Sequence, residues 1–464
     1  MNIIVYFKYV ICVLFFSFCV VYGSANKNEE LWREQGGLPD VWTLELAIDR
    51  ALAVNADVVL ARYELEYQTG VHYQVRSNVL PQVNLSSRVS FRGQSTIDRS
   101  PSGFDISPSD RTAIAQKSYS VGVEFRQLLF DGFSSFYKVH HQNLSKQASF
   151  WKLKNTSYRV VSLVRQAYDA ILYDQSIVLI NKESVKAFEE LYRMESQKEM
   201  LGEGTELGAL QVQAKFKNSQ AIVAESEANL VRSEEKFRQL LQLEFKPGER
   251  RHYRLKGRLV QKKNELTYDQ AMKKVGNSHP DIVSAKLERA AAQASLKSSQ
   301  LSYFPQIEGV VQYDVKSSYY DVNRNLNGWT IGFQGRLPLF DGSRRAGSIK
   351  SARAGLNSSE VKLKQKRIQL SSKVRELYDQ IDSLLIGVES KEESVGLGVK
   401  VLSESERLYQ EGQIAIKEVI EEELSLRDSQ RDLQRIVLEL NSLIYQLEYI
   451  LVLDDSVGSS NGSV

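Results

Sequence analysis

The stretch W-T-I-G-F-Q-G-R-L-P-L-F-D-G, Trp329 to Gly342, decides the fold. Trp329, Ile331 and Phe333 alternate with Thr330, Gly332, Gln334 and Arg336, which predicts a strand with one apolar and one wet face. Pro338 has no backbone donor and ends the ladder. Asp341 can accept from the first free N–H groups of a helix, and Gly342 tolerates the angles of a sharp turn. The helical period then holds from Arg345 to Glu411, about 100 Å at 1.5 Å per residue. The same device stands earlier. L-L-F-D-G, Leu128 to Gly132, follows Tyr119, Val121, Val123 and Phe125 and leads into a helix from Phe136 to Leu201. Helices of this length without internal caps point to coiled-coil packing.

The two halves are copies. Thr43, Ala47, Asp57, Ala61, Glu64, Pro81 and Gln82 match Thr267, Ala271, Asp281, Ala285, Glu288, Pro305 and Gln306 at an ungapped offset of 224 residues. Beyond a loop, Phe130, Asp131, Gly132, Val164, Arg165, Tyr168, Asp169 and Gly202 match Phe340, Asp341, Gly342, Val374, Arg375, Tyr378, Asp379 and Gly412 at an offset of 210. The difference of 14 residues is a longer loop in the first copy, Gly93 to Lys117. Two ungapped registers on either side of one loop identify a duplication. Each copy reads as a helix (from Thr43 to Val79 in the first), two strands, a very long helix, a turn at Gly202 or Gly412, and a shorter returning helix. The returns span Glu206 to Leu243 and Lys417 to Leu451. Strands are expected near 82–93, 118–129, 306–316 and 328–338. The boundaries are then a signal peptide over 1–25, an N-terminal periplasmic segment over 26–42, repeats over 43–243 and 267–453, a basic linker over 244–266, and a flexible tail over 454–464.

Lys8, the apolar run Tyr9 to Tyr22, and small residues at Gly23 and Ala25 read as a cleaved signal, with a single-pass anchor as the alternative. Neither Cys12 nor Cys19 sits in a lipobox, which speaks against a lipid anchor, and both fall within the signal. A disulfide framework and cysteine-ligated metal are thereby excluded. A net charge of +3 gives no support for nucleic acid as a partner.

Strands of this length match the roughly 9–11 residues that cross an outer membrane in a barrel. Four strands close no barrel, and lipid tolerates no open edge. Three copies would supply twelve. Phe91, Tyr119, Val121, Phe125, Ile307, Val311, Tyr313, Trp329 and Phe333 then face lipid, and Arg88, Arg92, Glu124, Arg126, Glu308, Asp314, Lys316 and Arg336 face a watery lumen. A soluble hairpin with one polar face is the alternative.

The tandem repeat, the strand starts L-P-Q-V (Leu80–Val83) and F-P-Q-I (Phe304–Ile307), the two F-D-G strand ends and the glycine at each helical turn together resemble the TolC family of outer-membrane efflux proteins, over Thr43 to about Leu451. The resemblance implies a mainly α chain with membrane β. Its homotrimer would form a 12-stranded β-barrel in the outer membrane, continued by a 12-helix α-barrel through the periplasm. The function implied is an exit duct for tripartite efflux or type I secretion. It would work with a periplasmic adaptor (membrane fusion) protein and an inner-membrane pump of RND, ABC or MFS type. Carried over, Leu201, Gly202 and Glu203 with Glu411, Gly412 and Gln413 form the periplasmic tip that adaptors contact, and Tyr409, Glu418 and Glu421 lie at the closed entrance. The run Glu418 to Glu423 also reads as a solvated helix face. Well-known members bridge the tip from an Arg two residues past the second glycine to an Asp six past the first. Here those positions hold Ile414 and Gly208.

No Walker loop, GxSxG or HExxH occurs, so no enzyme and no cofactor or metal is expected. Adjacent His140 and His141 point about 100° apart on a helix and read as surface. A passive porin does not need the long helices. A structural envelope-spanning coiled coil does not need two-faced strands.

Overall fold

The computed structural model describes residues 41–92, 116–202, 204–244, 253–264, 266–318 and 326–452. The signal peptide, the segment 26–40, nearly all of the loop Gly93 to Lys117, Glu203, part of the linker and the tail over 454–464 lie outside the described residues. In chain order the elements are β1 (Val41–Trp42), α1 (Leu44–Val54), α2 (Ala56–Ser77), β2 (Gln82–Arg92), β3 (Gln116–Phe130), α3 (Ser134–Met200) and α4 (Glu206–Leu240). After them come β4 (Arg254–Leu255), α5 (Tyr268–Ser278), α6 (Pro280–Leu301), β5 (Gln306–Ser318), β6 (Leu326–Arg336), α7 (Arg344–Gln410) and α8 (Ile416–Leu451). The chain divides into two compact units that cut across the repeats: residues 1–62, 153–279 and 368–464 in one, residues 63–152 and 280–367 in the other.

Two helices expected as continuous are broken. The helix read from Thr43 to Val79 stops at Asn55, whose backbone is extended (ψ 131°). Asn55 Oδ1 accepts from the Asp57 N–H at 3.0 Å, and its amide donates to the Leu240 carbonyl at 2.9 Å. An asparagine N-cap is thus tied to the end of α4. In the second repeat His279 takes the same role by another route: Pro280 starts α6 and forces the preceding residue out of the helical region.

The first unit holds three apolar clusters. One gathers Trp42, Val164, Tyr168, Ile171, Phe237 and Leu241; a second gathers Val374, Leu377, Tyr378, Ile381, Leu440 and Ile444. They are duplicates: Val164 and Tyr168 correspond to Val374 and Tyr378. Each tyrosine binds the backbone of a connecting segment, Tyr168 OH to the carbonyls of Trp42 (3.0 Å) and Lys256 (2.8 Å), and Tyr378 OH to that of Leu266 (2.8 Å). The third cluster, Phe188, Leu191, Val212, Ile416, Val419 and Ile420, lies beside the helical turns.

The second unit carries one antiparallel sheet in the order β2-β3-β5-β6. At its base each F-D-G makes the turn expected of it. Asp131 Oδ2 accepts from the Ser135 N–H at 2.8 Å, and Asp341 Oδ2 from that of Arg345 at 3.2 Å. Gly132 and Gly342 are left-handed (φ 66° and 65°), and so are the residues that follow them, Phe133 (67°) and Ser343 (70°).

Candidate functional site

Strand register fixes the faces of the sheet. Val83 pairs with Phe125, Phe125 with Val311, and Val311 with Ile331. On alternate positions Glu124 pairs with Asn84 and Gln312, and Gln312 with Thr330. One face therefore holds Val83, Leu85, Val121, Phe125, Val311, Tyr313, Trp329 and Phe333, all exposed. The opposite face carries the register positions of Arg88, Arg92, Glu124, Arg126, Glu308, Asp314, Lys316 and Arg336. On it Arg126 pairs with Glu124 at 2.7 Å, and the Gln312 amide donates to both Asp314 oxygens at 3.0 and 2.8 Å. Gly122 makes room for this group, since a Cβ there would stand 2.1 Å from Asp314 Oδ1.

The helical turns belong to the other unit. Gly202 and Gly412 are both left-handed, with φ of 75° and 74°. At the second turn the Gly412 N–H donates to the Tyr409 carbonyl (3.0 Å) and the Gln413 N–H to that of Leu408 (2.9 Å), the paired closure of a Schellman motif. The first turn keeps the Gly202 to Glu199 bond at 3.0 Å, but the reach back to the Lys198 carbonyl comes from Gly204, also at 3.0 Å. Thr205 then caps α4 by accepting from the Gly208 N–H at 3.2 Å, whereas Ala415, its repeat counterpart, has no such group. Tyr409 ties the turns together: Lys198 Nζ lies 3.9 Å from its ring centroid. Tyr409 also lines a cavity of about 220 Å3 with Glu190, Glu406, Met194 and Glu423.

The acidic run on α8 is not one face. Glu418 and Glu421 are exposed, and Glu421 lies 3.6 Å from Lys417. Glu423, in contrast, is buried and accepts from Arg427 Nε at 2.8 Å, while Arg427 also reaches Glu183 on α3 at 3.0 Å. The reading of Glu418 to Glu423 as a solvated face fails at Glu423. Burial pushes the Glu423 carboxyl above the usual range, and Arg427 works against that.

Two buried carboxylates escaped the sequence reading. Glu195 is buried, and its Oε1 has no hydrogen-bond partner among the described residues. Its Oε2 occupies the space beside Gly208, 2.8 Å from where a Cβ would stand. Burial raises its pKa, with Lys198 pulling the other way. Asp169 is buried between Asn441 (2.9 Å) and Tyr445 (3.0 Å) of α8. Asn441 also donates to the Val260 carbonyl and accepts from the Lys262 N–H, both at 2.9 Å, which binds the linker to the helix pair. Burial raises the pKa of Asp169, and burial with the adjacent Asp169 charge raises that of Tyr445. Of the histidine pair, His141 Nδ1 lies 2.8 Å from the Ala291 carbonyl and His140 is exposed.

The family model described as outer membrane efflux protein matches residues 272–438. A curated relative, the probable outer membrane lipoprotein SilC of Salmonella typhimurium, is 22% identical over 403 residues, 83% of this chain and 80% of its own. Among solved structures, CusC superposes with a TM-score of 0.75 at 17% identity, covering 93% of this chain and 95% of its own. The CmeC outer membrane channel of Campylobacter jejuni gives 0.75 at 15% identity, over 88% and 85%. The family match over residues 272–438, the relative and the shared fold agree with the two-faced sheet and the paired turns: this chain is similar to the outer membrane efflux proteins and shares the fold of their solved channels.

Proposed function

We propose that three copies of this chain form an exit duct. Twelve strands would close a barrel in the outer membrane, and the paired long helices would carry the channel into the periplasm. There a periplasmic adaptor and an inner-membrane pump deliver substrate. The observation that carries this reading is the sheet. It exposes apolar side chains on one face and charge on the other, and β2 and β6 are left as its edges. Such a sheet persists in lipid only when its edges are paired. The charged face then lines water. The chain supplies no chemical step, and the energy for transport comes from the pump.

In this reading Leu201, Gly202, Glu203, Glu411, Gly412 and Gln413 meet the adaptor. Exposed Leu201 and the two turns without Cβ allow close backbone approach. Glu418 and Glu421 ring the entrance in three copies, and Tyr409 holds the turns behind them. Carboxylate rings concentrate multivalent cations. Single-channel conductance with a trivalent cation on the periplasmic side tests this. The wild type should lose current, and Glu418→Ala with Glu421→Ala should keep it. Equal insensitivity of both proteins would remove these carboxylates from the entrance. A tag inserted near Ser102 should be reachable on intact cells with export preserved. Reach only after the outer membrane is breached would reverse the orientation.

A further inference from the structure

Register and repeat agree on the charged face of the sheet. Gln82 pairs with Arg126, and their counterparts at offsets of 224 and 210, Gln306 and Arg336, pair with each other. The two hairpins thus share one register, and a barrel closed by three chains holds six of them. Counterpart residues then stand at equal height around it, six to a ring.

On this face charge is duplicated only where it is positive. Arg126 corresponds to Arg336, on the side of the F-D-G turns, and Arg92 to Lys316, at the strand ends away from those turns. The acids are not repeated: Glu124 corresponds to Gln334, Glu308 to Asn84 and Asp314 to Ser90. The two cationic rings also differ in their neighbours. Near the turns, Arg126 pairs with Glu124 at 2.7 Å. Gln306, the register partner of Arg336, donates to Glu308 at 2.8 Å. At the outer ring the register partners are uncharged: Gln116 for Arg92, and Ser120 and Leu326 for Lys316. The nearest acid in sequence on this face, Asp314, stands two residues further in, where both its oxygens accept from the Gln312 amide. Arg88, exposed on the same face, adds a further cation. By sequence the connecting loops over 93–115 and 319–325 hold four aspartates and three arginines, too small an excess to offset Arg88, Arg92 and Lys316.

We propose that Arg92 and Lys316 form an anion-selective collar at the outer mouth of the barrel, so that the duct favours the release of polyanionic solutes. This rests on the trimeric duct proposed above and adds the sign of the cargo. Rings of Arg and Lys select anions, and low-dielectric walls focus their field into the water between them. Valence multiplies the effect. A local potential of one kT concentrates a univalent anion roughly threefold and a hexavalent one several hundredfold. The collar has the opposite sign to the Glu418 and Glu421 rings proposed for the entrance, so the two ends answer to opposite probes.

Single-channel conductance of the full chain in a planar bilayer tests this, with inositol hexakisphosphate on the extracellular side. The polyanion should reduce wild-type current. Arg92→Gln with Lys316→Gln should keep its current, and each single variant should fall between. Arg92→Glu with Lys316→Glu should exchange the blocker, so that trivalent hexaamminecobalt blocks from that side and the polyanion does not. Under a potassium chloride gradient the neutral double variant should shift the reversal potential toward cation selectivity relative to the wild type. Native mass of each variant verifies three chains, and the single variants decide the matter if a double variant does not assemble. A conducting wild-type trimer that the polyanion leaves untouched overturns the collar and leaves the duct standing, as do neutral variants blocked as fully as the wild type. A wild type that gives neither three chains nor conductance overturns the duct, and the collar with it.

Discussion

The two helical turns share a backbone and little else. Gly202 and Gly412 take nearly the same φ, each two residues past the end of a 67-residue helix. Downstream they part. The first turn is sealed by side chains: Thr205 caps α4, and Glu195 fills the space beside Gly208. At the second, Ala415 caps nothing and Glu418, the counterpart of Gly208, stands in solvent. Duplication has kept what the chain direction requires and released what the neighbours can supply. The first turn is thus a packed joint, and the second presents charge.

The sharpest contrast lies at that paired position. Gly208→Val drives a branched side chain into the Glu195 carboxylate and should weaken the tip by about 2 kcal/mol, as overpacking does. Glu418→Val should change it by under ~0.5 kcal/mol, as an exposed substitution. Hydrogen exchange of amides beside each turn reads the difference, and equal effects would dissolve the comparison. Gly202→Ala and Gly412→Ala should each cost about 1–2 kcal/mol, because both hold a residue in the left-handed region. Here the turns should respond alike. A loss at one only, by the same exchange measurement, would show that the shared φ is not a shared requirement.

Removing the first turn's cap is a smaller change. Thr205→Ala should cost about 1 kcal/mol, and Ala415→Ser should gain up to about that much. Thermal unfolding of the two variants should move in opposite directions. The finest effect is pH. Burial places the folded pKa of Glu195 above the ordinary glutamate value. Its stabilising contribution is therefore complete below the ordinary value and is lost as pH rises through the folded one. Exchange at the first turn should quicken over that interval beyond the intrinsic rate. Glu195→Gln should remove the step, and an unchanged step would assign it to another group.

Much of this was legible in the chain. Alternation at Trp329 to Arg336 set the sheet faces, and the aspartates of F-D-G fell where the free N–H groups needed them. What was missed has physical reasons. Asn55 and His279 break helices whose apolar spacing continues through them, because a cap costs the pattern only one residue. Phe133 and Ser343 take left-handed angles that their residue types do not announce. Asp169, Glu195 and Glu423 look like surface charges in sequence. Their burial is set by other helices, in the case of Asp169 by Asn441, 272 residues away. The charge of a residue is local information, whereas its solvation depends on the fold.

The central claim is that one chain supplies a third of a closed channel. Native mass measurement of the full chain, extracted from outer membrane in detergent, tests it most directly. The account requires an assembly of three chains with its strand content intact, since β2 and β6 must find partners. A stable monomer that retains its strands, with both sheet edges open, would contradict it.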